Sequence, residues 1–274
     1  MAYLTTYQVC EIARDTYVIN EAGMAAMFLV IGEERALLID TGVGMTDLPA
    51  LIRSLTPLPY DVVLTHGHLD HIGGAAQFSE VYVHPADASS LQPIDYDAIA
   101  AYVDLLLEMG SKDVYHCTRE DIYRTPQMPR LKALQEGMVF DLGGRTLEVI
   151  ETPGHTAGSC SLIDTRERIL FSGDACNVNL LCLEESVTTL KQGLMKIKVH
   201  ENLFDRNFNG HVGYAGHPYT MAMPVSVLDD ALQACEIIIR ASQPFVDEGM
   251  VFGSKASSIT YGKVKISFDP KHIM

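Results

Sequence analysis

The chain has 274 residues, 47% of them hydrophobic and 20% charged, and a formal charge of −15 from 20 basic and 35 acidic side chains. That length can bury a full core, and the composition excludes a disordered chain. The acidic balance argues against a nucleic-acid partner, whose affinity comes largely from Lys and Arg neutralising phosphates.

The opening residues, Met1-Ala-Tyr-Leu-Thr-Thr-Tyr-Gln8, show no basic stretch leading into an apolar one, so no export signal is read. Tyr17–Asn20 and Met27–Ile31 are apolar strands, Gly32–Arg35 is a hairpin turn, and Ala36–Asp40 returns. The longest apolar stretch, Ala22–Ile31, falls short of the roughly 20 residues that cross a bilayer. Asp40-Thr-Gly-Val-Gly44 breaks the strand, and Thr46–Leu55 suits a helix that ends before Pro57. Asp61–Leu64 is a short strand, Asp70–Phe78 begins a helix, and Val81–His84 is another strand.

Asp95–Met109 has helical apolar spacing (Ile99, Tyr102, Val103, Leu106, Leu107) and stops at Gly110, after which the chain is irregular to Pro129. Strands follow at Met138–Phe140, Thr146–Ile150, Ser159–Ile163 and Arg168–Phe171. Glu184–Lys196 reads as a helix, Val212–Ala215 as a strand, Val225–Ala241 as a long amphipathic helix, and Ser258–Phe268 as a final strand pair. Strands and helices interleave without a low-complexity linker. The expectation is a single α/β domain over residues 1–274, built from two similar halves, with a helical insert around residues 86–137. The six cysteines form no C-x-x-C pair, so reduced thiols and a cytoplasmic location are expected.

Three of the ten histidines and one aspartate crowd into Thr65-His-Gly-His-Leu-Asp-His71: His66, His68, Asp70 and His71. Three later segments end an apolar strand in a metal-capable side chain. Thr146–Gly154 leads to His155, Ile169–Gly173 to Asp174, and Val212–Gly216 to His217. In layered α/β folds strand ends share a rim, where ligands gather. The seven side chains are too many for one tetrahedral ion and about right for two, if one carboxylate bridges.

Thr65–His71, followed by Gly154-His-Thr-Ala-Gly158, Ser172-Gly-Asp174 and Gly216-His217, resembles the metallo-β-lactamase superfamily over roughly Thr16 to His217. The resemblance implies an αββα sandwich with a dinuclear metal centre on one edge of its sheets. It puts His66, His68 and His155 on the first ion and Asp70, His71 and His217 on the second, with Asp174 bridging. Zinc is the first expectation for both ions, and iron or manganese fits the same donors. Asp40 matches a position that supports the ligands from behind, although a turn-forming role explains it equally well. Two cations about 3.5–4 Å apart lower the pKa of a shared water and supply a hydroxide at neutral pH. Asp70, beside that water, would also carry a proton as the catalytic residue. Two carboxylates reduce the formal charge of the ions from +4 to about +2, which still attracts an ester or an anion.

Departures from subgroup patterns narrow the substrate. Asp174 in Ser-Gly-Asp argues against an antibiotic hydrolase, and His68 stands where flavodiiron oxidoreductases have Glu. What remains resembles the glyoxalase II and lactonase group, acting on a small ester, thioester or lactone. The 57 residues after His217 are short for the substrate-binding tail of a glyoxalase II, and the 84 positions from His71 to His155 are long for a signal lactonase. The alternatives are a mononuclear iron enzyme resembling persulfide dioxygenases, a phosphodiester hydrolase, and a binding protein that kept the scaffold. A small-molecule substrate is the expected partner, with no nucleic acid and no membrane, and a homodimer is compatible with the chain.

The insert and Cys176–Gly210 are the expected pocket walls, though Leu180, Leu181, Leu183, Leu194 and Met195 suit core packing better than a channel. Cys176 is expected to be buried and inert, and Tyr214 and Tyr219, flanking His217, to pack. His84, His116, His200, His211 and His272 lack partnered spacing and read as surface or loop residues.

Overall fold

A computed structural model of the chain describes residues 7–45, 47–108, 115, 117–125, 127–213, 216–241, 249–251 and 254–274. Its first sheet takes its strands in chain order: β1 (Tyr7–Ala13), β2 (Thr16–Glu21), β3 (Ala25–Ile31), β4 (Ala36–Ile39), β5 (Tyr60–Val63), β6 (Glu80–Val83) and β7 (Arg130–Ala133). Neighbours from β1 to β4 are antiparallel, and those from β4 to β7 are parallel. The second sheet is built from β8 (Val139–Asp141), β9 (Thr146–Glu151), β10 (Cys160–Asp164) and β11 (Ile169–Gly173). β12 (Asn179–Cys182) leaves it for a smaller third sheet, while β13 (Arg206–Asn209) returns parallel to β11. β14 (Gly249–Val251), β15 (Ser254–Tyr261) and β16 (Val264–Phe268) complete the third sheet, so the expected Ser258–Phe268 pair is a longer hairpin.

Successive residues of a strand point to opposite faces, and the central strands are apolar on both. In β3, Ala26, Phe28 and Val30 enter the core between the two large sheets, where Phe28 meets Phe171 at 4.9 Å between ring centroids. Met27 and Leu29 face the other way, toward the helices. That outer core includes Leu48 and Ile52 of α1 (Leu48–Leu55) and Ile99 and Val103 of α3 (Tyr96–Glu108), with the short α2 (Leu69–Ile72) between them in the chain. Across the molecule, α4 (Val187–Val199) and α5 (Ser226–Ile239) cover the second and third sheets through Leu190, Leu194, Val227 and Ala231. The layers are helix, sheet, sheet, helix: the αββα sandwich of an α/β fold.

Local chemistry sets the element ends. Asp47 caps α1 by accepting from the Ala50 amide at 2.8 Å, and Thr46 and the Met109–Gly110 stop lie outside the described residues. The helix expected over Asp70–Phe78 is cut to a single α-turn and a 3-10 turn at Ala75–Gln77. Gly73 and Gly74 interrupt it because they press on the carbonyls of Val43 and Thr41, leaving no room for a Cβ. The segment expected to be a helical insert holds α3 and then supplies β7 to the first sheet. Among the described residues, no helix is long and apolar enough to cross a membrane.

Candidate metal centre

β4, β5, β9, β11 and β13 all end on one edge of the sandwich, and the reactive side chains follow directly. Asp40, just past β4, adopts a left-handed backbone (φ 63°) that is strained for a non-glycine residue. The strain aims its carboxylate at the next strand end. Asp40 accepts from the Thr65 amide at 2.7 Å, from Thr65 Oγ1 at 2.8 Å and from His71 Nδ1 at 2.9 Å. The expectation of a supporting role for Asp40 thus has a geometric basis.

Each of five histidines has one ring nitrogen engaged away from the centre. Thr65 Oγ1 gives its proton to Asp40, so it accepts from His66 Nδ1 at 3.0 Å. The Nδ1 of His155 donates to the Leu181 carbonyl at 2.8 Å, and that of His211 to the Met24 carbonyl at 3.4 Å. His68 is turned the other way round, its Nε2 donating to Glu184 Oε1 at 3.0 Å. These outer partners fix the ring orientations, so that each inner nitrogen presents a lone pair to the centre once its ring is neutral.

The inner atoms crowd one space. His68 Nδ1 lies 2.8 Å from His155 Nε2, and His211 Nε2 lies 2.7 Å from Asp174 Oδ2. His155 Nε2 is 3.4 Å from Asp174 Oδ2, and Asp70 Oδ2 is 3.7 Å from the Nε2 atoms of both His71 and His211. His66 Nε2, His71 Nε2 and Asp174 Oδ1 are buried without a hydrogen-bond partner. Two facing lone pairs at 2.8 Å repel unless a proton or a cation lies among them, and orphaned buried acceptors are rare. The donor set therefore fits metal: three overlapping trios, His66–His68–His155, His66–His71–Asp174 and Asp70–His71–His211, bring ligand atoms within 4.8 Å of one another.

The charge balance agrees. Burial, with His71, His155 and His68 nearby, holds His66 well below the usual imidazole range. His155 falls to about 4, from burial first and the neighbouring His68 next, against the pull of Asp174. Burial opposes a charged His71, but Asp70, Asp40 and Asp174 outweigh it and lift the group to about 10. His211 rises for the same reason, with Asp174 outweighing burial. Burial would raise Asp70 and Asp174, yet the surrounding histidines hold both below the usual carboxylate range. A cluster that gathers protons around its carboxylates is a cluster with a place for cations.

The structure does not bring His217 to this cluster. That residue is half-buried, its Nε2 lies 2.9 Å from the Met221 carbonyl, and it belongs to none of the three trios. His211, read from sequence as a loop residue, stands instead with Asp70 and His71 in the third trio. The strand lies earlier than expected: β13 ends at Asn209, while Tyr214 and Ala215 of the expected Val212–Ala215 strand fall outside the described residues. Gly210 lets the chain pass tight against the site, since a Cβ there would come within 2.5 Å of His71 Cε1. The Ala26 amide then donates to the Gly210 carbonyl at 2.9 Å, pinning the ligand between the two large sheets. The signal was present, as Arg206-Asn-Phe-Asn-Gly-His211 repeats the strand–glycine–ligand plan of Leu170-Phe-Ser-Gly-Asp174.

The centre floors a cleft of about 250 Å³, walled by Tyr102 of α3, by Leu181 of β12, and by Leu183 and Glu184 of the stretch between β12 and α4. Leu181 and Leu183 thus line it, whereas Leu180 and Leu194 pack in the core and Met195 is exposed. Tyr102 and Glu184 were missed as site residues: the first reads as part of an apolar helix face, the second as an ordinary exposed acid. Tyr102 donates its hydroxyl to Asp70 Oδ2 at 3.0 Å. Cys176 is buried and its thiol pushed up to about 12 by that burial, so it is inert as expected. His84, His200 and His272 lie away from the trios, and His116 and Tyr214 are outside the described residues.

Residues 21–180 match the sequence profile of the Metallo-beta-lactamase superfamily. The acyl-coenzyme A thioesterase MBLAC2 of Gallus gallus is 37% identical over 160 residues, which are 55% of this chain and 57% of that protein. Its Homo sapiens counterpart is 34% identical over 163 residues, with the same shares. A hydroxyacylglutathione hydrolase of Rhodopseudomonas palustris is 27% identical over 213 residues, 75% of this chain and 66% of that one. The match thus spans little more than half the length of the thioesterases. Among solved structures, a metallo-beta-lactamase family protein of Thermus thermophilus superposes with a TM-score of 0.55 at 19% identity, over 84% of this chain and 82% of that one. A sec-alkylsulfatase of Pseudomonas superposes with a TM-score of 0.60 at 15% identity, over 85% of this chain and 42% of that one. With the profile covering more than half of the chain and the sandwich shared, this chain belongs to the metallo-beta-lactamase superfamily.

Proposed function

We propose that the chain is a dinuclear metal-dependent hydrolase of a small thioester, with simple esters and lactones as neighbouring substrate classes. One observation carries the reading: five imidazole nitrogens and two carboxylates converge on a cleft floor while the outer ring nitrogens are already engaged. The relatives named acyl-coenzyme A thioesterase and hydroxyacylglutathione hydrolase support the thioester class. His66, His68 and His155 would hold one ion and Asp70, His71 and His211 the other, with Asp174 between them. Zinc suits these donors, and iron and manganese share the preference. Bound there, two divalent ions supply a water-derived nucleophile at neutral pH and polarise the scissile carbonyl.

The chain's own residues do the rest. Asp70 lines the cleft beside the centre, so its carboxylate can accept the proton of the attacking water and return it to the departing sulfur. A thiol with a pKa of about 8.5 leaves readily as thiolate, so one carboxylate suffices as proton carrier. An amide would need a stronger acid at its nitrogen. Leu69, Leu181 and Leu183 give the cleft apolar walls that hold an acyl group and displace water from the carbonyl.

Metal analysis joined to a panel of thioesters, lactones and phosphodiesters tests this reading. Close to two ions per chain are expected, with thioesters turned over fastest and activity lost to a chelator and regained with zinc. His211→Ala should release about one ion per chain and lower turnover by at least about 100-fold, whereas His217→Ala should leave metal content unchanged. Hydrolysis that survives chelation would sink the reading. One iron per chain with oxygen uptake on a persulfide would favour the mononuclear alternative, against which the Asp70–His71–His211 trio speaks.

A further inference from the structure

The two walls of the cleft each hold one ligand of the centre, and they hold ligands of different trios. On one side, the Tyr102 hydroxyl donates to Asp70 Oδ2 at 3.0 Å. That oxygen is the one 3.7 Å from both His71 Nε2 and His211 Nε2, so the contact falls on the face Asp70 turns to its own trio. α3 makes a firm mount for it, with Ile99, Val103 and Leu107 buried and Asp104 paired with Arg119. On the other side, Glu184 Oε1 accepts from His68 Nε2 at 3.0 Å and so turns Nδ1 toward His155 Nε2 at 2.8 Å.

We propose that Tyr102 and Glu184 are positioning residues, each setting the metal affinity of one half of the centre independently of the other. The inference rests on the two-ion reading above. The physics differs between the halves. Tyr102 holds a buried carboxylate in one orientation, and without its hydroxyl Asp70 can turn away from His71 and His211. Glu184 fixes a tautomer and makes the imidazole a better donor through its negative charge, which solvent partly screens because the side chain is exposed. Both side chains also line the cleft, so a substrate that competes for either contact would act on one ion rather than on both.

Titrating the metal-free chain with Co2+, followed by visible absorption and calorimetry, reads the halves separately, because an all-nitrogen trio and an Asp–His–His trio give different spectra. The wild type should bind in two steps. Tyr102→Phe should weaken one step by about 10–100-fold and leave the other within about twofold. Glu184→Ala should weaken the opposite step by about tenfold, at the low end of that range, and Glu184→Gln, which keeps an acceptor oxygen, should fall between Ala and wild type. The metal-free variants should melt with the wild type, which excludes a general loss of structure. Variants that shift both steps alike, shift the same step, or shift neither would overturn the inference while leaving the hydrolase reading intact. A wild type that takes up no cobalt would remove both, and one that binds two ions in a single unresolved step would overturn the inference alone.

Discussion

Glu21 closes β2 with its carboxylate fully buried, behind the loop that leads out of Asp40. Its Oε2 accepts from the Val43 amide at 2.6 Å, and its Oε1 accepts from the Met45 amide at 2.8 Å and the Tyr7 hydroxyl at 3.1 Å. Burial pushes the group up from 4.5 to about 7 in spite of these donors, and the Cys117 thiol nearby is raised partly by it. The folded chain therefore binds a proton here more tightly than the unfolded chain does. The stabilisation is full below pH 4.5 and is lost as pH rises through 7, by a total on the order of 3 kcal/mol. Glu21→Gln removes that slope, although an amide oxygen can serve only one of the two backbone donors, which adds a constant penalty. Urea unfolding of both proteins at pH 5 and pH 8 checks this: wild type should lose ground relative to the variant at the higher pH. A stability difference unchanged between the two pH values would refute it.

At the scale of elements, the 3-10 turn at Pro85–Leu91 ties two ligand-bearing loops together through one buried side chain. Asp87 accepts from the Gly67 amide at 2.8 Å, from Thr156 Oγ1 at 2.7 Å and from the Gly158 amide at 2.9 Å. A Cβ on Gly158 would come within 2.5 Å of Asp87 Cγ, so the close approach requires glycine. Asp87→Ala leaves two buried amides without an acceptor, at about 1–3 kcal/mol each. We expect a loss of about 3 kcal/mol in denaturant unfolding and faster release of metal to a chelator. An Asp87→Ala chain as stable as wild type would refute the tie. Elements of this kind mark the limit of what the chain discloses when read linearly. β3, β4, β9 and β11 announce themselves as apolar runs, and α3, α4 and α5 by their periodicity. β13 does not, because Asn207 is buried for its hydrogen bond to the Cys176 carbonyl rather than for an apolar side chain. Gly-His occurs at both 210–211 and 216–217, so without that strand the later pair takes the ligand's place. Asp87, Tyr102 and Glu184 act across distant segments, and no local pattern carries such contacts.

At the scale of the whole molecule, the two large sheets are fastened at opposite edges by different means. Far from the cleft, the buried Arg145 pairs with Asp164 and donates to Thr16 Oγ1 at 2.6 Å and to the Ile31 carbonyl at 3.3 Å, joining the second sheet to the first. Arg145→Ala leaves Asp164 as an uncompensated buried charge and should cost about 3–5 kcal/mol. Equilibrium unfolding checks it, and a cost below about 1 kcal/mol would show that the pair is dispensable. At the cleft edge, His66, His68, Asp70 and His71 follow a strand of the first sheet, whereas His155, Asp174 and His211 follow strands of the second. Ions bound among them would act as rivets between the layers. The Arg145 edge would then hold without metal, while the cleft edge would add to its Ala26–Gly210 hydrogen bond a fastening that depends on supply. By mass action, free metal at about a hundred times its dissociation constant adds about 2.7 kcal/mol to folding. The melting temperature of such a chain would track the free metal around it, and starvation for metal would be felt first as an opening of the cleft edge while the Arg145 edge stayed shut.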